Sequence, residues 1–334
     1  MSEINYKSAG VDLNTSDKIK ASIRALTDQS CGEDNLHGIG LFSGFYPLNK
    51  DKYEKPVLVS SIDGIGTKVK IAERMQQFAS LGEDLVNHCV NDIMVCGAEP
   101  LFILDYIAAD KLHEKNVTEI ISGIIRASQS AECTLIGGET AEMPGVYAKH
   151  NFDIAGAIVG IVERDRIIDG SRIQSGDALI GVASNGLHTN GYSLARKALF
   201  EQNKFDLNYV IPETKSQLGV ELLKPHRLYQ TLIRRVRESD AMHGIAHITG
   251  GGMIGNTTRL LRDDLRAVID WNAWEAPAIF RFIQEAGQVP ESEMQSVFNM
   301  GMGLILIVEK NAVDFILSEC ESVGEQAQKI GSIK

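Results

Sequence analysis

The sequence predicts an α/β (α+β) protein of two domains, and three observations carry that expectation. Apolar runs of strand length alternate with stretches whose apolar residues recur at helical spacing. A chain of 334 residues, 44% of them hydrophobic, exceeds what one core usually supports. The alternation breaks once, at RDRIIDGSRIQSGD, where turn-forming residues precede a fresh start at DALIGVAS. The boundary is expected near residue 168, giving domains 1–168 and 169–334.

Residues 16–27 have apolar positions at helical spacing. PVLVSSI, residues 56–62, reads as a buried strand. A second helix is expected over 83–96, stopped by Gly97 and Pro100. LFILDYIA, residues 101–108, is the next strand. Residues 116–131 carry Val117, Ile120, Ile121, Ile124 and Ile125, an apolar face suited to packing on a sheet. CTLIGGE and FDIAGAIVGIVE are two further strands. The second half repeats the mixed pattern with strands DALIGVA, GIAHIT, RAVID and GLILIVE. Its helices are expected at about 192–201, 226–238, 252–261, 277–286 and 311–322.

A net charge of -11 disfavours nucleic acid and anionic membrane as partners and remains compatible with a small anionic substrate held in a local basic pocket. No segment approaches the ~20 apolar residues of a membrane span, and MSEINYKSAGVDL lacks the core of a signal peptide, so a cytoplasmic location is expected. The five cysteines, Cys31, Cys89, Cys96, Cys133 and Cys320, include no C-x-x-C pair, which argues against a zinc ribbon or a disulfide scaffold. Cys31 lies in a polar loop with nothing beside it that marks a nucleophile.

SSIDGIGTKVKIA, residues 60–72, holds a carboxylate, two glycines, a hydroxyl and an ammonium directly behind an apolar run. Gly64 and Gly66 would let backbone N–H groups approach a phosphate, Asp63 would hold a divalent cation, and Lys68 would neutralise anionic oxygen. It is not a Walker A loop, because Thr67 precedes Lys68 and the glycines are too close together. An ordinary turn at a strand end, with a solvated lysine, is the competing reading.

On the second helix Asp84, His88, Asn91 and Asp92 fall at i, i+4, i+7 and i+8. A solvated face is one account of this stripe. A ligand-holding face is the other, since short polar side chains are costly in helices and suit fixed ligands; Asp92 is the metal candidate. GGETAEMPGVY, residues 137–147, adds Glu139 and Glu142 in a loop between glycines. With Asp63 and Asp92 it would complete an oxygen-rich Mg2+ site of the kind that sits on triphosphates. SNGLHTNGYS, residues 184–193, places His188 among hydroxyls and amides, either as a structural hydrogen bonder or as a proton carrier. HITGGGM, residues 247–253, ends a strand in three glycines, as a phosphate cradle or a tight turn.

Taken in order, DGIGTK, LVNHCVNDI, GAEPLFILDY, GGETAEMPG, GLHTNGYS and HITGGG resemble the motif series of the phosphoribosylformylglycinamidine cyclo-ligase family, the aminoimidazole ribonucleotide (AIR) synthetases. The resemblance runs from YKSAGVD to KIGSIK. It implies an N-terminal α/β domain whose sheet pairs with that of a second subunit, a C-terminal α/β sandwich, a homodimer, and use of ATP and Mg2+ on a phosphoribosyl substrate. By the same resemblance Asp63, Asp92 and Glu139 bind Mg2+ and phosphates, and Gly64, Gly66, Thr67 and Lys68 form the phosphate loop. Lys68, Asp92 and His188 are the expected catalytic residues, with His188 the proton carrier. Asn190, Thr249, Gly250 and Gly251 are expected to hold substrate.

The chain departs from the family's pattern in having HGIGLFSGFY, residues 37–46, where a glycine-rich entrance segment is usual; Gly186, Leu187 and His188 for Gly-Pro-His; and Arg24 where a lysine is common. Selenophosphate synthetases, thiamine-phosphate kinases, hydrogenase-maturation relatives and a non-catalytic nucleotide-binding subunit are the alternatives. Cys31 lacks the setting of the first, the next two lack AEMPG, and the joint presence of Asp63, Lys68, Asp92, Glu139 and His188 speaks against the last.

Overall fold

A computed structural model of the protein describes residues 13–28 and 38–334. Cys31, His37 and the YKSAGVD stretch lie outside the described residues. The chain divides into two compact units, one of Met1–Ile93 with Glu99–Glu163, the other of Met94–Ala98 with Arg164–Lys334.

The first unit is built from α1 (Leu13–Asp28), β1 (Pro56–Gly64), α2 (Val69–Met75), α3 (Ala79–Met94), β2 (Glu99–Ala109), α4 (Glu114–Ser130), β3 (Thr134–Glu142) and β4 (Phe152–Glu163). Its sheet has the order β1-β4-β2-β3, with β2 and β3 parallel and the other pairs antiparallel. The parallel pair needs a crossover, and α4 supplies it. Pro100, expected to help stop the preceding helix, is instead buried inside β2, and α3 ends at Met94 before Gly97, which takes φ +89°. One face of the sheet receives α3. A Cβ on Gly156 of β4 would lie 3.0 Å from Leu85, so that glycine sets how closely helix and sheet approach. The other face carries Leu58, Ile62 and Tyr106, all exposed.

The second unit holds β5 (Ala178–Ala183), α5 (Tyr192–Arg196), α6 (Leu218–Leu222), α7 (Gln230–Val236), β6 (Met242–His247), α8 (Gly252–Thr258), β7 (Ala267–Ile269), α9 (Ala278–Gly287), α10 (Glu291–Val297), β8 (Met302–Val308), α11 (Val313–Ser322) and β9 (Ala327–Ile333). The order β6-β8-β5-β9-β7 is antiparallel throughout. Every residue of β8 is buried, as a central strand covered on both faces requires, and each large side chain so buried contributes roughly 1.5–3 kcal/mol.

The helix expected at 192–201 is α-helical only to Arg196 and continues as a π-helix over Lys197–Gln202. The one expected at 226–238 begins only at Gln230, leaving Pro225 to Tyr229 irregular. The strand β9 at AQKIGSI has no strict polar alternation to announce it; pairing with β5 and β7 makes it a strand.

Candidate functional site

In the first unit the sheet register sets the chemistry. Asp63 pairs with Gly156, Gly156 with Asp105, and Asp105 with Gly138, so these four residues form one row across β1, β4, β2 and β3. Paired residues share a face, which puts Asp63 and Asp105 on the same side two strands apart, roughly 10 Å.

The polar stripe of α3 faces that side. Asp84, His88 and Asn91 are buried, which rules out the solvated-face reading. His88 Nε2 lies 2.7 Å from Asp63 Oδ2 and 3.6 Å from Asp92 Oδ2, while Ser61 Oγ donates to Asp92 Oδ2 at 3.1 Å. Burial would lower the basicity of His88, but the carboxylates of Asp63, Asp92 and Asp84 outweigh it and raise its pKa. Burial would also raise Asp63; its hydrogen bond and charge contact with His88 and the Gly64 N–H outweigh that and hold the carboxyl below its ordinary value. Two carboxylates gathered on one imidazole, beside a hydroxyl, make an oxygen donor set that suits a hard cation such as Mg2+.

Two expected members of this site stand elsewhere. Lys68 does not project towards a ligand: it is fully buried, with Nζ 2.8 Å from Asp84 Oδ2. Burial lowers its pKa and the Asp84 carboxylate opposes the shift. The ion pair fastens the turn Gly66–Lys68 to α3, leaving Gly66 exposed and Thr67 half-buried at the surface of the loop. Glu139 pairs with Tyr106, one residue past the Asp105 row, so strand alternation turns it away from the face that holds Asp63 and Asp92. It lines a cavity of about 580 Å3 together with Arg24, Gly40, Asp105, Gly138 and Thr140. Glu142, the second acid of that loop, accepts the Leu112 N–H at 3.0 Å.

Asp105 was not expected in the site. Burial, with added repulsion from Glu139 and an opposing backbone hydrogen bond, pushes its carboxyl up to about 7. The signal was available: a lone acid inside the apolar run LFILDYIA of a central strand.

In the second unit β5 delivers the loop of residues 184–191 and α5 follows it. Asn299 organises the loop's entry, donating to Gly186 O at 2.9 Å and meeting Ser184 Oγ at 3.1 Å. His188 is 1% exposed and takes φ +61°, a conformation uncommon for a side-chain-bearing residue. Its ring stacks on His226 with centroids 4.0 Å apart, and Tyr229 stands 6.2 Å away. Tyr229 donates to Ala183 O at 2.8 Å. Gly303 makes room for this group: a Cβ there would lie 1.9 Å from the Tyr229 hydroxyl and 2.8 Å from His188 Cε1.

Asn190 Oδ1 lies 3.3 Å from where a Gly250 Cβ would stand, so the loop of His188 and the glycine turn come together. Thr249, Gly250 and Gly251 lead into α8. Asn256 gathers this turn by donating to Thr249 O, Gly250 O and Gly252 O at 3.2, 3.3 and 2.8 Å. Neither His226 nor Asn299 belongs to a motif, and only long-range packing brings them to the loop.

The AIR synthase related protein family matches through its N-terminal domain at residues 51–162 and its C-terminal domain at residues 174–334. The phosphoribosylformylglycinamidine cyclo-ligase of Thermodesulfovibrio yellowstonii is 46% identical over 328 residues, 98% of this chain and 96% of that protein. The enzyme of the same name from Carboxydothermus hydrogenoformans is 46% identical over 333 residues, 100% of this chain and 97% of that protein. Among solved structures, the thiamine-monophosphate kinase of Stenotrophomonas maltophilia K279a superposes with a TM-score of 0.68 at 18% identity, covering 97% of this chain and 94% of that one, a likeness of fold alone. With both domain matches and full-length relatives at this identity, the chain belongs to the phosphoribosylformylglycinamidine cyclo-ligase family of AIR synthase related proteins.

Proposed function

We infer that the protein is an ATP-dependent cyclo-ligase that converts phosphoribosylformylglycinamidine to aminoimidazole ribonucleotide in purine biosynthesis. The observation that carries this is the 46% identity to a cyclo-ligase over 98% of the chain. The amide oxygen of the substrate is a poor leaving group. Transfer of the γ-phosphoryl of ATP onto it makes an iminophosphate that can expel phosphate when the amidine nitrogen attacks and closes the ring. Nucleophile and electrophile belong to one molecule, so the protein chiefly positions them and neutralises charge.

Asp63 and Asp92 are the residues that would hold Mg2+, which supplies charge neutralisation on phosphate oxygens when bound. Gly64, Gly66 and Thr67 form the phosphate loop above, and Lys68 supports it from within through Asp84. The cavity of about 580 Å3 beside Arg24, Asp105 and Glu139 is of a size that suits a nucleotide. In the second unit His188 handles the proton released on ring closure, and Asn190, Thr249, Gly250 and Gly251 hold the substrate.

A second copy of the chain is part of the same reading. Leu58 is 63% exposed and Ile62 74% exposed on one sheet face of the first unit, a patch that a homodimer would cover. No helix among the described residues is long and apolar enough to cross a membrane, and we place the enzyme in the cytoplasm with its ATP supply.

The deciding experiment measures ADP release and formation of the aromatic amine product with ATP and phosphoribosylformylglycinamidine. Release of ADP that depends on both substrates and matches product mole for mole is expected. ADP release indifferent to the amidine would overturn the assignment.

A further inference from the structure

We propose that His226 is a positioning residue for His188, fixing the ring plane of the histidine that handles the proton of ring closure; the proposal rests on the cyclisation reading above. His226 is held at both ring nitrogens. Its Nε2 lies 2.8 Å from His247 Nε2, and its Nδ1 lies 3.4 Å from Thr189 Oγ1. A neutral imidazole has one donor nitrogen and one acceptor, so a ring engaged at both ends is restricted to one plane and, with its two partners, to a matched set of tautomers.

The face of that fixed ring is where His188 lies. The two rings are 4.0 Å apart and 28° from parallel, and His188, His226 and His247 are all buried. Thr189 is the next residue after His188, while His247 ends β6 two residues before Thr249. His226 thus ties the loop carrying His188 to the strand end that feeds the glycine turn. His188 keeps its φ of +61° only while its surroundings hold it there, and the stacked ring is one of those surroundings. An apolar ring would supply the stacking alone. The two hydrogen bonds are what require histidine.

Three variants separate these contributions. His226→Phe keeps the stacking surface and loses both bonds. His226→Asn places an amide near the Nδ1 position and can keep the Thr189 contact, whereas His226→Gln reaches the Nε2 position and can keep His247. In the cyclisation assay kcat should fall by about 10-fold to 100-fold in the Phe variant and at least as far in the Asn and Gln variants, which also lose the stacked ring, with the KM for ATP within about twofold. Long-range 1H–15N NMR of the histidine rings should show altered ring-nitrogen signals for His188 and His247 in the Phe variant, and a His247 signal nearer to native in the Gln variant than in the Asn variant. A Phe variant within about twofold of wild type would overturn the proposal. Should the wild-type protein fail to cyclise the substrate, the functional reading falls and the NMR comparison still decides: unchanged His188 and His247 signals in the Phe variant would refute the positioning role. If the Phe variant does not fold, the Asn and Gln pair carries the test: either of them within about twofold of wild type would overturn the proposal.

Discussion

His88 Nε2 stands 2.7 Å from Asp63 Oδ2 and ties the middle of α3 to the end of β1, directly before the proposed phosphate loop. That single contact joins the fold to the chemistry, because the same imidazole also faces Asp92 at 3.6 Å. The pKa of His88 is raised above the ordinary 6.5, so its part of the stabilisation is complete below pH 6.5 and is lost as pH rises through the raised value. Asp63 is lowered from 3.8, so its part is present above pH 3.8 and is lost as pH falls through the lowered value. The pair stabilises most between the two ordinary values. Urea unfolding of wild type and His88→Asn without added metal should differ more at about pH 6 than at about pH 9. An identical difference at both would show that the contact is not an ion pair.

Asp105 has the opposite sign. Its folded pKa of about 7 lies above the ordinary 3.8, so the folded form binds more protons than the unfolded one in between, and stability falls as pH rises across that interval. Asp105→Asn keeps the shape without the charge. The variant should show a flatter stability profile than wild type from pH 3.8 to about 7 and should be the more stable of the two above it. Parallel profiles would mean that Asp105 titrates normally.

Asp92→Asn should fold as wild type, being nearly isosteric, while turnover falls by roughly 100-fold or more through a weaker hold on the Mg2+ that Asp92 is proposed to bind. Titration of Mg2+ in the assay should show a higher half-saturating concentration. Near-normal turnover at wild-type Mg2+ would remove Asp92 from the ligand set.

Gly303→Ala should displace Tyr229 or His188, since no Cβ fits 1.9 Å from the Tyr229 hydroxyl. Overpacking of this kind costs about 1–3 kcal/mol. Thermal unfolding measures that cost, and kcat should fall with it because His188 shares the contact. A stable, fully active Ala variant would show that the ring cluster tolerates rearrangement.

Ile62→Glu places a carboxylate on the exposed sheet face beside Leu58. Light scattering should give the mass of two chains for wild type and of one for the variant at micromolar concentration. A wild-type protein with the mass of one chain would exclude the homodimer.

Legible in the order of residues alone were the local elements that repeat at the period of a helix or a strand, the polar stripe of α3, the glycine turns at strand ends, and membership of a family through motifs kept in order. Each of these depends on residues within a few positions of one another. Tertiary structure decided what those residues face. Lys68 reads as a ligand-binding ammonium until α3 brings Asp84 to it, and Glu139 reads as a partner of Asp63 until the β2–β3 register turns it to the other side. His226 carries no motif at all and acquires a place only when Thr189 and His247, distant in the chain, close on its two nitrogens. The physical reason is common to all three: a side chain's type is local, but its hydrogen-bond partners, its burial and hence its charge are set by strand register and helix packing between segments far apart in sequence.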